Sequence, residues 1–308
     1  MSGPDAGARP PLVDPHVHLW DLAHIRYPWL TGPFDADDPD GSVEPIAVDY
    51  SLDAYLADAL AWDVRGIVHV DAGAHPADAL KETQWLQTLA DERGLPSGIV
   101  AFAALNDPAV ETLLAAHVEH ANVRGIRHIA NWRPDPRPGH APSDMTTTDN
   151  WARGFSLLGK FGLSFDLQAY PGQFPHLARL FADHPEIPVI VDHSGMADPG
   201  DPDGWEVWRR GMAALAALPH VAVKISGMGF AWRDWNVDQA RPYVLETIEL
   251  FGGNRAMFAS NFPTDKLFGN FDRHFDAYDA ITRNFTSDER AALFGGNANR
   301  IYRLGLEL

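Results

Sequence analysis

Asp14-Pro15-His16-Val17-His18-Leu19-Trp20 is the stretch on which the fold reading turns. Leu12 and Val13 lead into it as an apolar, strand-like run, and Pro15 stands where a central ladder would be ending. Residues two apart in an extended segment share a face, so His16 and His18 converge on one point. Two imidazoles on one face suit a divalent metal or a proton-transfer site, although a pair of hydrogen-bonded polar residues at a strand end has the same spacing. A doubly wound nucleotide-binding sheet would place a glycine-rich phosphate loop after its first strand. Here that place holds His-x-His.

Working outward, β-rich apolar runs recur at 12–19, 64–70, 98–104, 123–130, 163–167, 189–192, 221–225 and 256–260. Amphipathic, helix-like stretches at 52–62, 77–93, 109–120, 151–161, 174–184, 207–218 and 242–251 lie between them. Eight strands alternating with helices over 308 residues predict a (β/α)8 TIM barrel, in the α/β class. Residues 1–10 read as a flexible N-terminal tail and 11–308 as a single catalytic barrel domain. Three long connections, 23–50, 133–150 and 229–241, are expected to act as lids that shape a pocket.

Composition narrows the function. A net charge of −18 argues against nucleic acid and anionic membrane surfaces as partners. The absence of cysteine removes disulfides, thiolate metal sites and cysteine nucleophiles. No stretch reads as a signal peptide or membrane span, so a cytoplasmic location and a small-molecule substrate are expected, with the oligomeric state open. In a barrel the chemistry sits at the C-terminal strand ends. There the sequence delivers His16 and His18, His69 and Asp71, Arg127 and His128, Asp166 and Gln168, Asp192 and His193, Lys224 and Ser226, then Asn261. So many polar groups from distant strands imply a functional rim.

Several of these motifs, in order, carry a resemblance: the opening Asp14–Trp20 stretch, Gly125-Ile126-Arg127-His128, Asp192-His193-Ser194-Gly195, Val223-Lys224-Ile225-Ser226-Gly227, Phe258-Ala259-Ser260-Asn261-Phe262-Pro263 and Gly296-Asn297-Ala298-Asn299-Arg300-Ile301-Tyr302. Together they resemble the amidohydrolase superfamily. More narrowly they are similar to its branch of lactonases acting on sugar lactones and on pyrone dicarboxylate, which Tyr27-Pro28-Trp29-Leu30 also fits.

The resemblance implies that His16, His18 and His193 hold at most one divalent ion, zinc foremost, or act without metal as polarising and proton-carrying groups. Arg127 would face a substrate carboxylate or carbonyl, or else form an ordinary salt bridge. Tyr27, Trp29, Gln168, Lys224 and Asn261 are further substrate-binding candidates. Lys224 serves equally as half of a structural ion pair. The pattern departs from the family at strand eight, where an aspartate usually activates water and this chain has Asn261. Asparagine cannot take a proton from water at neutral pH. Asp265 takes that role if the turn after Pro263 folds into the mouth; otherwise it is a first-turn helix acid. Asp14 is a candidate to orient one of the first-strand histidines. The activity expected is hydrolytic opening of a lactone, of a sugar acid or a carboxylated ring. A decarboxylase on the same barrel and a catalytically impaired binding protein are the alternatives.

Overall fold

The first strand of the chain is also the seam that closes its sheet. In the computed structural model, which describes residues 9–34, 41–134 and 143–308, eight parallel strands pair in sequence order. They are β1 (Leu12–Val17), β2 (Val64–Val70), β3 (Gly98–Phe102), β4 (Val123–Arg127), β5 (Ser164–Leu167), β6 (Val189–Val191), β7 (Val221–Ile225) and β8 (Ala256–Phe258). Just past β8, the Asn261 amide donates to the His16 carbonyl (2.9 Å) and the His18 amide to the Phe262 carbonyl (2.8 Å), joining the last strand's exit to the first. The register slips between Asp14 and Val17, so Pro15, which has no amide proton to give, sits in an irregularity rather than in a regular ladder.

Between the strands run α1 (Leu52–Asp58), α2 (Ala79–Arg93), α3 (Val110–His117), α4 (Asp149–Phe161), α5 (Phe174–Ala182), α6 (Gly204–Ala216), a short α7 (Met228–Ala231) and α8 (Val237–Phe251). α9 (Phe271–Ile281), α10 (Ser287–Ala291), a π-helical turn and α11 (Asn297–Ile301) follow β8. Side chains on alternate strand positions split into two sets, as the period of two requires. Val13, Val68, Val70, Val100, Ile190, Ala222 and Met257 fill the barrel interior, while Leu12, Ile67, Ile99, Phe165, Val189 and Phe258 pack outward on the helices.

The interior is stoppered from below. Tyr302, just past α11, and Ala298 join the interior cluster, and Asn297 donates from Nδ2 to the carbonyls of Gly253 and Ala256, both at 2.8 Å. The final helix therefore closes the barrel. Asn297→Ala is expected to cost about 1–3 kcal/mol, because it leaves two carbonyls without their donor. Urea unfolding checks this; a change under about 0.5 kcal/mol would show that the two bonds carry no net weight.

Two boundaries differ from expectation. α8 begins at Val237, not at Pro242, because Asn236 accepts from the amides of Asp238 and Gln239 while Gln239 returns a bond to the Asn236 amide. That reciprocal cap outranks the proline, which is carried inside the helix. The connection read as 229–241 is correspondingly shorter. At the N-terminus, Arg9 already packs over Trp62 (4.3 Å) and bonds Asp276 (2.6 Å), so the expected tail is anchored by that residue. Parts of the other two long connections, residues 35–40 and 135–142, lie outside the described residues.

Candidate active site

β1 carries the floor of the site. His16 and His18 are buried, and their Nε2 atoms stand 3.2 Å apart. The Nδ1 of His18 donates to the Val70 carbonyl (2.8 Å), which fixes its tautomer and leaves a lone pair on Nε2. Against that lone pair, at 3.1 Å, lies the side-chain oxygen of Asn261. Burial and the neighbouring Arg127 hold His18 well below the usual histidine range, and burial with Lys224 does the same to His16. Both rings are neutral at pH 7.

Asp14 does not orient either ring. It accepts from the backbone amides of His16 (3.3 Å) and Ser260 (3.0 Å) and from Tyr55 Oη (2.9 Å), so it shapes the turn that carries the histidines. Behind His16 lies a buried charge cluster. Lys224 of β7 reaches Asp166 of β5 at 2.5 Å, Asp192 at 3.0 Å and His16 Nδ1 at 3.3 Å. Tyr302 Oη donates to Asp166 from the barrel floor (2.8 Å). Burial pushes Asp166 up to about 6 against the pull of Lys224. Burial acts upward on Asp192 too, but Lys224 and His16 outweigh it and hold that carboxyl well below the carboxylate range. Lys224, expected as a substrate contact, is instead fully enclosed and spent on these two acids.

His193 follows β6 in a run of left-handed backbone, with φ of 52° at His193, 50° at Ser194 and 53° at Met196. Such conformations cost about 1–3 kcal/mol each and gather at functional sites. The ring rests against Gly227, where a Cβ would meet the His193 Cβ at 2.9 Å, so no larger residue fits there. Nδ1 of His193 pairs with Ser226 Oγ (3.0 Å), and burial lowers its pKa to about 4.

Asp265 does not reach the mouth. It is fully buried behind Asn261, accepting from Asn261 Nδ2 (2.9 Å) and from the Gly227 amide (3.2 Å). Burial raises its pKa to about 7. The geometry makes it the group that turns the Asn261 amide, so that the amide oxygen faces His18. Asn261 itself is left-handed (φ 57°), a region asparagine tolerates better than most residues.

Two connected chambers open above this floor. The inner one, about 350 Å³, is bordered by His18, Arg127, Gln168, His193 and Asn261 and walled by Trp29, Ile129, Met196 and Phe230. The outer one, about 270 Å³, runs past Asn131, Arg133, Tyr170 and Trp232. Gln168, His193, Met196 and Phe230 border both. Arg127 donates to Asp71 Oδ2 (3.3 Å), to the Asp71 carbonyl and to Gln168 Oε1 (3.2 Å). Trp29 reaches the chamber from the first long connection, seated on Gly73 with its indole N–H donated to the Ala72 carbonyl (2.8 Å). Tyr27 borders neither chamber; its hydroxyl donates to buried Glu82 (2.9 Å). His128 turns away and accepts from the Leu105 amide (3.1 Å).

Sequence reading thus singled out most of the chamber's polar groups. It left Asp71, Asp166 and Asp192 without roles. Their strand-end positions were visible, but their pairing with Arg127 and Lys224 joins residues more than 30 apart in the chain.

The donor set fits a divalent cation. Two nitrogens each about 2.0–2.1 Å from a tetrahedral zinc lie roughly 3.3 Å apart, close to the observed 3.2 Å between His16 and His18. One ligand atom each from His16, Asp192 and His193 also lie within 4.8 Å of one another. The Asp192 oxygens, although close to Lys224 and His16, make no hydrogen bond of good geometry. The neutral imidazoles of His16 and His18, with the Asn261 amide oxygen beside them, form an electron-rich edge that a cation would satisfy, while Asp192 lies at the other ring nitrogen of His16, next to Lys224.

Among known proteins, the family described as Amidohydrolase (Amidohydro_2) matches residues 13–304. The chain is 42% identical to protein y4mH of Sinorhizobium fredii over 95% of its own length and 98% of that protein's. It is 26% identical to an L-fucono-1,5-lactonase of Burkholderia multivorans, over 95% of this chain and 96% of that one. A crystal structure of an amidohydrolase from Burkholderia multivorans with bound zinc superposes with a TM-score of 0.78 at 26% identity, covering 95% of this chain and 99% of the other. Among the described residues no helix is long and apolar enough to cross a membrane. With its barrel, its first-strand histidine pair and a match spanning nearly its whole length, the chain belongs to the amidohydrolase family.

Proposed function

We propose that the protein hydrolyses a lactone or closely related cyclic ester in the inner chamber. The observation that carries this reading is the meeting of two anchored, neutral histidines, His18 and His193, with Arg127 around one cavity of small-molecule size. The ester carbonyl lies toward Arg127, whose guanidinium supplies positive charge where oxygen charge develops, with the lone pair of His18 Nε2 beside it. His193 takes the proton of the attacking water and returns it to the ring oxygen as the C–O bond breaks. Asn261, aimed by Asp265, positions that water without taking its proton. A divalent ion held by His16, His18 and His193 would supply that activation instead, lowering the pKa of a bound water toward neutrality, with His193 Nε2 then a ligand and not the base. L-Fucono-1,5-lactonase activity in relatives at about a quarter identity supports the reaction type.

A decarboxylase would need an acid to protonate carbon. No residue bordering the inner chamber, among those described, is a carboxylic acid.

Proton release, followed with a pH indicator over a panel of lactones with and without a strong chelator, tests the reading. Base consumption with ring opening is expected. Loss on chelation with recovery on adding zinc would assign the three histidines as ligands, and survival would assign them as polarising and proton-carrying groups. Carbon dioxide release from an acid, or no ring opening on any lactone, would overturn the proposal.

A further inference from the structure

The inner chamber also says which lactones fit, on the reading that it opens one. Among the described residues, buried carboxyl groups number six (Asp14, Asp71, Glu82, Asp166, Asp192 and Asp265) and buried Lys or Arg side chains two (Arg127 and Lys224). Both cations are committed. Arg127 bonds Asp71 through side chain and backbone, and Lys224 is held between Asp166 and Asp192. A carboxylate on the substrate would meet a single cation at the chamber wall, Arg127, whose charge is already matched by buried Asp71 behind it, so the added anion would have no counter-charge of its own. Transfer of an anion from water into such a place is unfavourable.

The walls narrow the class further. Of the six large apolar side chains that are exposed in the described structure, two, Ile129 (41%) and Phe230 (44%), border this one chamber. Trp29 faces it with its only donor already given to the Ala72 carbonyl, so it offers hydrocarbon alone. Met196 and Ala72 complete the apolar side, and Thr264 supplies a single hydroxyl. A ring carrying several hydroxyls would lose water on entry and find few partners, each unmade bond working against binding.

We infer that the substrate is an uncharged cyclic ester bearing a hydrocarbon substituent, which lies against Trp29, Ile129 and Phe230 while the ester faces His18, Arg127 and His193. Carboxylated rings and heavily hydroxylated sugar lactones are disfavoured by the same surfaces.

Lactams that cannot be hydrolysed under assay conditions separate this inference from the proposed reaction. Calorimetric binding to the whole protein, chelated and zinc-supplemented, would compare 6-propyl-2-piperidone with its 6-carboxylate and with a polyhydroxylated sugar lactam. The propyl compound is expected to bind at least about tenfold more tightly than either, from burial of its methylenes. In the double variant Ile129→Ser/Phe230→Ser, whose changed positions are surface-accessible, that ratio should fall towards one. Tighter binding of the carboxylate or the sugar lactam, an unchanged ratio in the double variant, or no binding of any lactam would overturn the inference. Lactam preference as expected with no turnover of the matching lactones would sustain it while removing the hydrolase reading. Turnover led by carboxylated lactones would do the reverse.

Discussion

His193→Ala is expected to lower kcat/KM for lactone opening by about a thousandfold or more, the scale on which loss of a group acting in the transition state is felt. The side chain borders both chambers, and its anchored Nδ1 leaves Nε2 as the atom available for proton transfer. Alanine in the left-handed region adds strain at a residue with φ of 52°. His193→Asn is therefore the companion variant, because asparagine tolerates that backbone and cannot act as a base. Both should keep the wild-type far-ultraviolet circular dichroism. Activity near the wild-type level in either would remove the proposed site.

The pH profile follows from the same residue. Burial disfavours the imidazolium and lowers the His193 pKa to about 4, against the opposing field of Asp192. The neutral, proton-accepting form thus persists as pH falls, until pH approaches that value. The acid limb of kcat/KM assigned to His193 should lie well below 6.5, where an ordinary histidine would place it. A limb at 6.5 that vanishes in His193→Asn would show that the ring is far more hydrated than its enclosed position implies.

Lys224→Met is expected to have the largest effect on stability, about 3–5 kcal/mol. The ammonium is fully buried between two fully buried carboxylates, so its removal leaves uncompensated charge where water cannot reach. The double variant Lys224→Met/Asp166→Asn should recover part of that loss, because one stranded acid is neutralised while Tyr302 can still donate to the amide oxygen. Denaturant unfolding of the single and double variants measures both terms. A single variant within about 1 kcal/mol of wild type would mean that Asp166 takes up a proton and absorbs the change, a route its raised pKa of about 6 makes available. His16 loses its neighbour in either variant, so activity should fall even where stability is regained.

The two effects have one structural origin. His16 stands between the open chamber and the sealed charge cluster, touching His18 on one side and Lys224 and Asp192 on the other. A chain of polar contacts therefore runs from Tyr302 at the barrel floor through Asp166 and Lys224 to the reacting face. On the proposed reaction, substitutions in this chain are expected to act on chemistry through His16, without touching substrate.

The eight strands were legible in the sequence because their signal is local. Short β-branched runs such as Val64–Val70 and Val221–Ile225 carry their own periodicity, and the order of strands and helices leaves few topologies. The first-strand histidines were legible for the same reason, since strand geometry places residues two apart together. The helix at Val237–Phe251 starts ahead of Pro242, where the amphipathic pattern places its beginning, because the Asn236–Gln239 cap sets its first turn.

What tertiary structure alone decided was the standing of each polar residue. Asp265 and Asn261 are four positions apart, and only the fold of the turn shows that the asparagine meets His18 while the acid lies behind it. Lys224 looked like an anion receptor until two acids from neighbouring strands were found around it, and Tyr27 like a pocket wall until Glu82 claimed its hydroxyl. Sequence pattern determines which residues reach the barrel rim, because alternation along a strand is a short-range property. Whether a charge there is free for a ligand or already neutralised depends on partners brought in by other strands, and no local pattern encodes that distance.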